Sequence, residues 1–260
     1  MKPIVSFDVD MTLLDHKDWR IPASALETIE KLRENHIIVI ATGRDMDSVY
    51  STEIRDAVRP DAIIHLNGTK VTVGNKLIYE HMFDKQLLKE ILAYTKHTPY
   101  SVGATIEDRD YYVNPEVIVR HETRLWGECG RIFDDPGKLM ELNVRTMAYI
   151  GNEHGARAME EQFPEIQVHM FADKKGADVV ERKASKAMGL VRLCEYFQVP
   201  LSETAAFGDS MNDYDIVKMA GKGIAMGNAM EELKRAADYV TDAIDRDGIK
   251  KACLHLGMIR

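Results

Sequence analysis

Three short apolar runs, each cut off by polar residues, constrain the fold more than any other feature of the chain. Ile4-Val5-Ser6-Phe7, the run from His36 to Ala41 and the run from Ala62 to Leu66 are too short for helices and do not alternate in polarity. Strands buried on both faces read this way, as in a parallel sheet. Between them, Arg20-Ile21-Pro22-Ala23 opens a stretch in which Leu26, Ile29 and Leu32 recur at helical spacing, with Pro22 suited to a first turn. A second helix is expected from about Asp45 to Val58. Strand, helix, strand, helix, strand within the first 66 residues is the pattern of a doubly wound α/β sheet. Right-handed crossovers would bring the three strand ends to one rim, with Asp8, Thr42 and Asn67 as neighbours.

Past Asn67-Gly68 the pattern becomes a hairpin, Val71 to Val73 against Leu77 to Tyr79, turned at Gly74-Asn75. Strict alternation then lapses. Helices are expected at 85–96, 116–126 and 153–162, and strands at 100–105, 111–114, 144–150, 166–171 and 177–180. Such mixing suggests an α+β insertion. From Ala184 the α/β rhythm resumes. Helices are expected at 185–197, 212–219, 231–237 and 248–256, with strands at 204–207, 223–226 and 239–240. The expected division is a core of residues 1–82 and 183–260 around an inserted domain, 83–182.

With 260 residues, the chain is long enough for one large domain or two modest ones. A net charge of −8 argues against a basic nucleic-acid footprint, and no run of apolar residues is long enough to span a membrane. Cys129, Cys194 and Cys253 are widely spaced and odd in number, which suits free thiols in a reducing compartment. The run after Met1-Lys2-Pro3 is too short for a secretory signal. A cytoplasmic location is the expectation.

Four clusters fall on the expected rim: Asp8-x-Asp10-x-Thr12, Thr42-Gly43-Arg44, Lys186, and Gly208-Asp209-Ser210-Met211-Asn212-Asp213. Carboxylates gathered there raise one another's pKa unless a cation neutralises them. A hard divalent ion such as Mg2+ fits, because it accepts a few carboxylates and shares its other positions with phosphate oxygens. The Thr42 hydroxyl, nearby backbone N–H groups and the Lys186 ammonium are donors suited to those oxygens. The clusters thus describe a phosphate site built on an aspartate and a metal. Each residue also has a plainer reading. Lys186 could be a solvated lysine, Arg44 a structural cation at the rim, and Asn67 a turn residue before Gly68. Tyr111, Tyr112 and Trp126 read as core aromatics of the insertion, and the scattered histidines read as structural or solvated. Gly221-Lys222-Gly223 precedes its strand, so it is not a dinucleotide loop.

The order of these clusters, with the insertion between the second and third, resembles the haloacid dehalogenase (HAD) superfamily of phosphohydrolases. Phe7-Asp8-Val9-Asp10-Met11-Thr12-Leu13, Ala41-Thr42-Gly43-Arg44, Leu66-Asn67-Gly68, Phe207 to Asp213 and Gly223 to Ala229 carry the likeness over nearly the whole chain. The closest likeness is to the Cof-type sugar phosphatases, which have a large α/β (C2-type) cap. The resemblance implies a Rossmann-like core with an inserted α+β cap that acts as a lid and sets substrate choice, its loops at 103–110 and 127–138 being the stretches of interest. It implies Asp8 as nucleophile and Asp10 as general acid and base, with Mg2+ held by Asp8, the Asp10 carbonyl and Asp209. Val9, Thr42, Gly43, Lys186 and Asn212 would hold the phosphoryl group. Thr12 would steady the Asp10 loop, and Asp213 would orient Lys186 or a metal-bound water. The implied substrate is a small phosphomonoester, such as a sugar phosphate. A phosphomutase with the same aspartyl-phosphate chemistry and a non-catalytic phosphometabolite sensor are the alternatives. A receiver domain fits less well, because its acceptor follows the third strand, where this chain has Asn67. Met11 departs from the family's usual Gly and bears on substrate choice; oxygen ligands suit Mn2+ as well as Mg2+.

Overall fold

The computed structural model describes residues 2–171 and 174–260, with the side chains of residues 125 and 126 also outside the described set. The chain forms two compact units, Met1–Glu80 with Ala184–Arg260, and His81–Lys183.

In chain order the first unit opens with β1 (Ile4–Phe7), α1 (Ala23–Arg33), β2 (Ile37–Ala41), α2 (Thr52–Val58), β3 (Ala62–His65), β4 (Lys70–Val73) and β5 (Lys76–Glu80). The second unit carries α3 (Lys85–Thr95), β6 (Ser101–Ile106), β7 (Arg109–Val113), α4 (Pro115–Trp126), β8 (Met147–Ile150), α5 (Glu153–Gln162), β9 (Ile166–Met170) and β10 (Gly176–Glu181). The first unit then resumes with α6 (Lys186–Phe197), β11 (Thr204–Gly208), α7 (Tyr214–Met219), β12 (Lys222–Ala225), α8 (Glu231–Ala236), β13 (Tyr239–Val240) and α9 (Gly248–His255).

Eight strands make one sheet in the order β13-β12-β11-β1-β2-β3-β4-β5. The pairs from β13 to β3 are parallel and the β3-β4-β5 edge is antiparallel. The apolar side chains of β1, β2 and β3 are buried except for the partly buried Ile37, as a sheet covered on both faces requires. From β1 the chain winds outward through β2 to β3, and after the insertion it returns on the other side through β11 and β12. The order therefore reverses between β1 and β11, and in an open α/β sheet a ligand crevice lies at that switch point, outside the carboxyl ends of the strands. Asp8 follows β1 and Asp209 follows β11. Topology alone puts these two acids together.

The helix expected over 45–58 is shorter than the pattern suggested. Asp45 and Ser48 accept from the N–H groups of Asp47 and Tyr50 through their side chains, so this segment turns locally. A 3-10 turn at Val49–Ser51 precedes α2. The strand expected from Val144 begins only at Met147, and the Val144 carbonyl accepts from Phe83 N instead of joining the ladder.

Gly68 shows why Asn67-Gly68 occupies its position. Its φ is +94°, and an added Cβ would lie 2.0 Å from the Ser185 carbonyl oxygen, just before α6. Gly68→Ala combines a disfavoured dihedral with a backbone collision, and should lower stability by at least about 2 kcal/mol. A denaturant midpoint within error of the parent would show that this loop can move away from α6.

The second unit is a five-stranded antiparallel sheet in the order β7-β6-β8-β10-β9. Its own core includes Phe83, Leu88, Ile91, Val102, Tyr149, Met159 and Ile166. Tyr111 and Tyr112 are buried, as core aromatics should be, whereas the Trp126 side chain lies outside the described residues. Arg131 donates to Glu122 and Asp110, and so ties the 127–135 loop to α4 and β7.

Candidate active site

β1 ends at Phe7, and the chain immediately coils. The Val9 carbonyl accepts from the N–H groups of Thr12, Leu13 and Leu14, while the Val9 side chain is fully buried in the core. Only the Val9 main chain can therefore serve the rim. This coil is what lets Asp8 and Asp10 stand at one strand end although strand side chains alternate. Met11 has a φ of +60°. A residue without a Cβ avoids the steric cost of that conformation, which gives a backbone reason for glycine at this position in the resembling family. Asn228 donates from Nδ2 to the Met11 carbonyl at 2.8 Å and accepts from Ile244 N at 2.9 Å, stitching the coil to the C-terminal segment.

Beneath the coil lies a buried ion cluster. Lys186 is the first residue of α6, and the Ser185 side chain caps that helix by accepting from Met188 N. The Lys186 side chain is fully buried; Nζ donates to Asp8 Oδ1 at 2.6 Å and to Asp213 Oδ1 at 2.7 Å. The plain reading of a solvated lysine does not hold. The other Asp213 oxygen accepts from the N–H groups of Asp209 and Ser210, at 3.0 and 3.1 Å. Gly208 makes this possible, since a Cβ there would meet Asp213 Cβ at 2.4 Å. Thr12 donates to Asp209 Oδ1 at 3.3 Å. Thr12 thus ties the coil to the β11 end.

The charges do not balance. Asp8, Asp209 and Asp213 each place an oxygen within 4.8 Å of the others, and among the described residues Lys186 is the one cation bonded among them. Burial, with the neighbouring Asp213 and Asp10 charges, pushes Asp8 up to about 7 against the pull of Lys186. Burial, with the Asp8 and Asp213 charges, pushes Asp209 up to about 9. Burial disfavours the Lys186 ammonium, but Asp213 and Asp8 outweigh it and hold the group charged. An oxygen-only donor set with surplus negative charge fits a hard divalent cation.

Asp10 is placed differently. Arg44 grips it with two hydrogen bonds, Nε to Oδ2 at 2.7 Å and an Nη to Oδ1 at 2.6 Å. His16 Nε2 lies 2.7 Å from Oδ1, the oxygen that it shares with the Arg44 Nη. Burial alone would raise the Asp10 pKa, yet the Arg44 and His16 contacts bring it below the usual carboxylate value. Arg44 is thus a rim cation, as expected, and its partner is the Asp10 carboxylate. His16 was not anticipated; a lone histidine in a polar loop carries no spacing signal.

Around this centre, Thr42 is buried at the β2 end, with its hydroxyl accepting from Arg44 N at 3.1 Å. Gly43 lies between them. Asn67 has a φ of +53°, so it is a turn residue, and its side chain also accepts from Asn212 Nδ2 at 3.1 Å. The structure brings Asp8, Asp209, Asp213, Lys186 and Thr12 into one bonded cluster. It sets Asp10 beside it with Arg44, and joins Asn212 to Asn67.

A second group, Asp45, Asp47 and His65, also clusters closely. There Lys70 pairs with Asp47 and Arg55 lies 3.8 Å from it. His65 is buried and spends both ring nitrogens, one near Met46 N and one near the Thr72 hydroxyl. This group is a neutralised structural corner.

The model of the haloacid dehalogenase-like hydrolases matches residues 5–253. Bacillus subtilis phosphatase YwpJ is 26% identical, over 97% of this chain and 99% of its own. The solved structure of BT1666, a HAD phosphatase from Bacteroides thetaiotaomicron, matches with a TM-score of 0.90 at 26% identity, covering 100% of this chain and 96% of that one. BT4131, a HAD subclass IIB sugar phosphatase, matches with a TM-score of 0.87 at 28% identity over the whole of both chains. The chain belongs to the haloacid dehalogenase-like hydrolases.

Proposed function

We propose that this HAD-family phosphatase hydrolyses small phosphomonoesters, sugar phosphates among them, through a phosphoryl group carried on Asp8. The observation that supports this best is the Asp8 carboxylate held on Lys186, next to an under-neutralised Asp209 and Asp213, with a second carboxylate, Asp10, held apart by Arg44. One Asp8 oxygen attacks phosphorus while the bond from phosphorus to the ester oxygen breaks. Asp10, protonated for this step, gives its proton to the departing oxygen. It then takes a proton from water as the water oxygen attacks phosphorus, and the bond to Asp8 breaks to release phosphate. Such acid–base assistance contributes ~10²–10⁴-fold. The contacts to Arg44 and His16 favour the ionised Asp10, the form that accepts the water proton, so the protonated form used in the first step depends on the negative charge of the entering ester beside it. Lys186, the Thr42 hydroxyl, the Val9 and Gly43 main chain and Asn212 hold the phosphoryl oxygens. Thr12 steadies Asp209, and Asp213 orients Lys186.

Asp8, Asp209 and the Asp10 carbonyl would hold Mg2+. When bound, the ion offsets the repulsion between an anionic nucleophile and an anionic ester. The 81–183 unit governs which ester is accepted, and the free thiols suit the cytoplasm. The named activity of BT4131 on sugar phosphates supports that substrate class for this chain.

The test is phosphate release from a panel of sugar phosphates and related esters, with Mg2+ and with EDTA. Turnover should require the metal. Mg2+ should also raise the melting temperature, since a ligand bound by the folded state alone stabilises it by mass action. Release undiminished in EDTA would remove the metal from the reading. Isomerisation of a sugar phosphate without net phosphate release would favour a mutase.

A further inference from the structure

The loop that follows the Asp10 coil carries a tryptophan whose side chain the fold leaves exposed. Asp15 and Arg20 pair across it as an isolated bridge, so residues 15–20 form a tight reversal. Trp19 has a φ of +57° and remains 63% exposed. A bulky residue in the left-handed region is a backbone outlier, and such outliers collect at functional sites. The reversal holds this conformation through its backbone, with Trp19 N–H donating to the Asp15 carbonyl at 2.8 Å and Asp15 N–H to the Arg20 carbonyl at 2.9 Å, but the indole gains no burial from it. The indole itself has a ring partner: it stacks on His16, with centroids 4.5 Å apart and planes at 19°. That same His16 holds Asp10.

We propose that Trp19, stacked on His16, is a specificity-determining platform that contacts the leaving group of the ester, and that it favours leaving groups with a flat ring face, a pyranose or an aromatic ring. The proposal rests on Asp10 being the proton donor. The departing oxygen must then lie within hydrogen-bonding reach of the Asp10 carboxyl, and the atoms it carries must pass the groups beside that carboxyl. Those groups are Arg44 and His16, which both bond the Asp10 carboxylate and share its Oδ1. Arg44 offers charge, whereas the His16–Trp19 pair offers an apolar plane with one Trp face already covered and a large exposed area left to cover. Burying that face against a ring recovers the apolar area now left in water. His16 then has a double role, holding Asp10 and setting the angle of the indole.

Kinetics on Trp19→Ala and Trp19→Phe test this with p-nitrophenyl phosphate, glucose 6-phosphate and glycerol 3-phosphate, which carry an aromatic ring, a pyranose and no ring. Trp19→Ala should lower kcat/KM for both ring esters about fivefold more than for the acyclic ester, mostly through KM, the size of one aromatic stack. Trp19→Phe should restore most of the difference. Equal losses on all three esters, or no rescue by Phe, would overturn the platform while leaving the phosphatase intact. A parent enzyme that releases phosphate from none of them would instead bring down the functional reading itself. As an independent readout, Asp8→Asn protein carrying Trp126→Phe leaves Trp19 as the sole tryptophan. Its emission should change on adding p-nitrophenyl phosphate or glucose 6-phosphate, but not inorganic phosphate. An identical response to all three would count against ring contact.

Discussion

Asp8→Asn should reduce phosphate release by at least ~10³-fold, and as much as ~10⁶-fold, the range seen when a covalent nucleophile is removed. The substitution keeps the shape of the side chain and removes the attacking oxygen's charge. It also takes one negative charge from a cluster that has too many, so the folded protein should be as stable as the parent or more stable without metal. That combination separates a nucleophile from a structural acid: activity collapses while the denaturant midpoint holds or rises. Asp8→Ala provides the check against slow conversion of Asn back to Asp. Residual turnover within tenfold of the parent in the Ala variant would assign the attack to another group.

Lys186→Met carries the second largest effect, and it should show in stability as well as rate. The ammonium is fully buried and bonded to two carboxylates, and removing one partner of a buried ion pair typically costs about 3–5 kcal/mol because the other is left uncompensated. Here Asp209 stands beside the pair, so three acids would share the vacancy. Measured in EDTA, the unfolding midpoint of Lys186→Met should fall steeply; in Mg2+ much of the loss should return, since the added cation restores part of the missing charge. Adding Asp213→Asn should recover stability in EDTA as well, by removing the charge that Lys186 answered. Activity should fall by ~10²–10³-fold in Lys186→Met, the usual result of deleting one preorganised group facing developing charge, and neither Mg2+ nor Asp213→Asn should repair it. A midpoint independent of metal would show that Lys186 does not carry the balance of this cluster.

The parts legible in the sequence were those written in short runs. Ile4 to Phe7 has no polar face to turn to water, so it belonged inside a parallel sheet. Asp8 and Asp209 each end such a run, and sheet topology then brought them together. Lys186 was harder, since a lysine in a first helical turn is ordinarily solvated, and only its place at the return of the α/β rhythm pointed inward. What escaped was contact that no period encodes. His16 and Trp19 lie in a polar loop without spacing, and their relation to Asp10 depends on how residues 15–20 reverse. The composition of 45–58 permits one helix; the side chains of Asp45 and Ser48 capture backbone N–H groups locally, and this competition is invisible to hydrophobic pattern. Met11 was legible as a departure, but its meaning came from a single dihedral.

The reversal between β1 and β11 also orders the birth of the protein. β1 is made well before its partner on one side, Thr204–Phe207, which lies about two hundred residues further along the chain. Until then β1 presents an apolar edge with open hydrogen-bonding groups, the kind of edge that pairs with other chains. The 81–183 unit is continuous in sequence and has its own core, so it can close while the first unit waits. Long-range pairings of this kind form slowly. Asp8 and Asp209 therefore meet only after the roughly two hundred residues between them exist, and a product truncated between them would have the nucleophile without its partner acid, joined to an aggregation-prone half sheet.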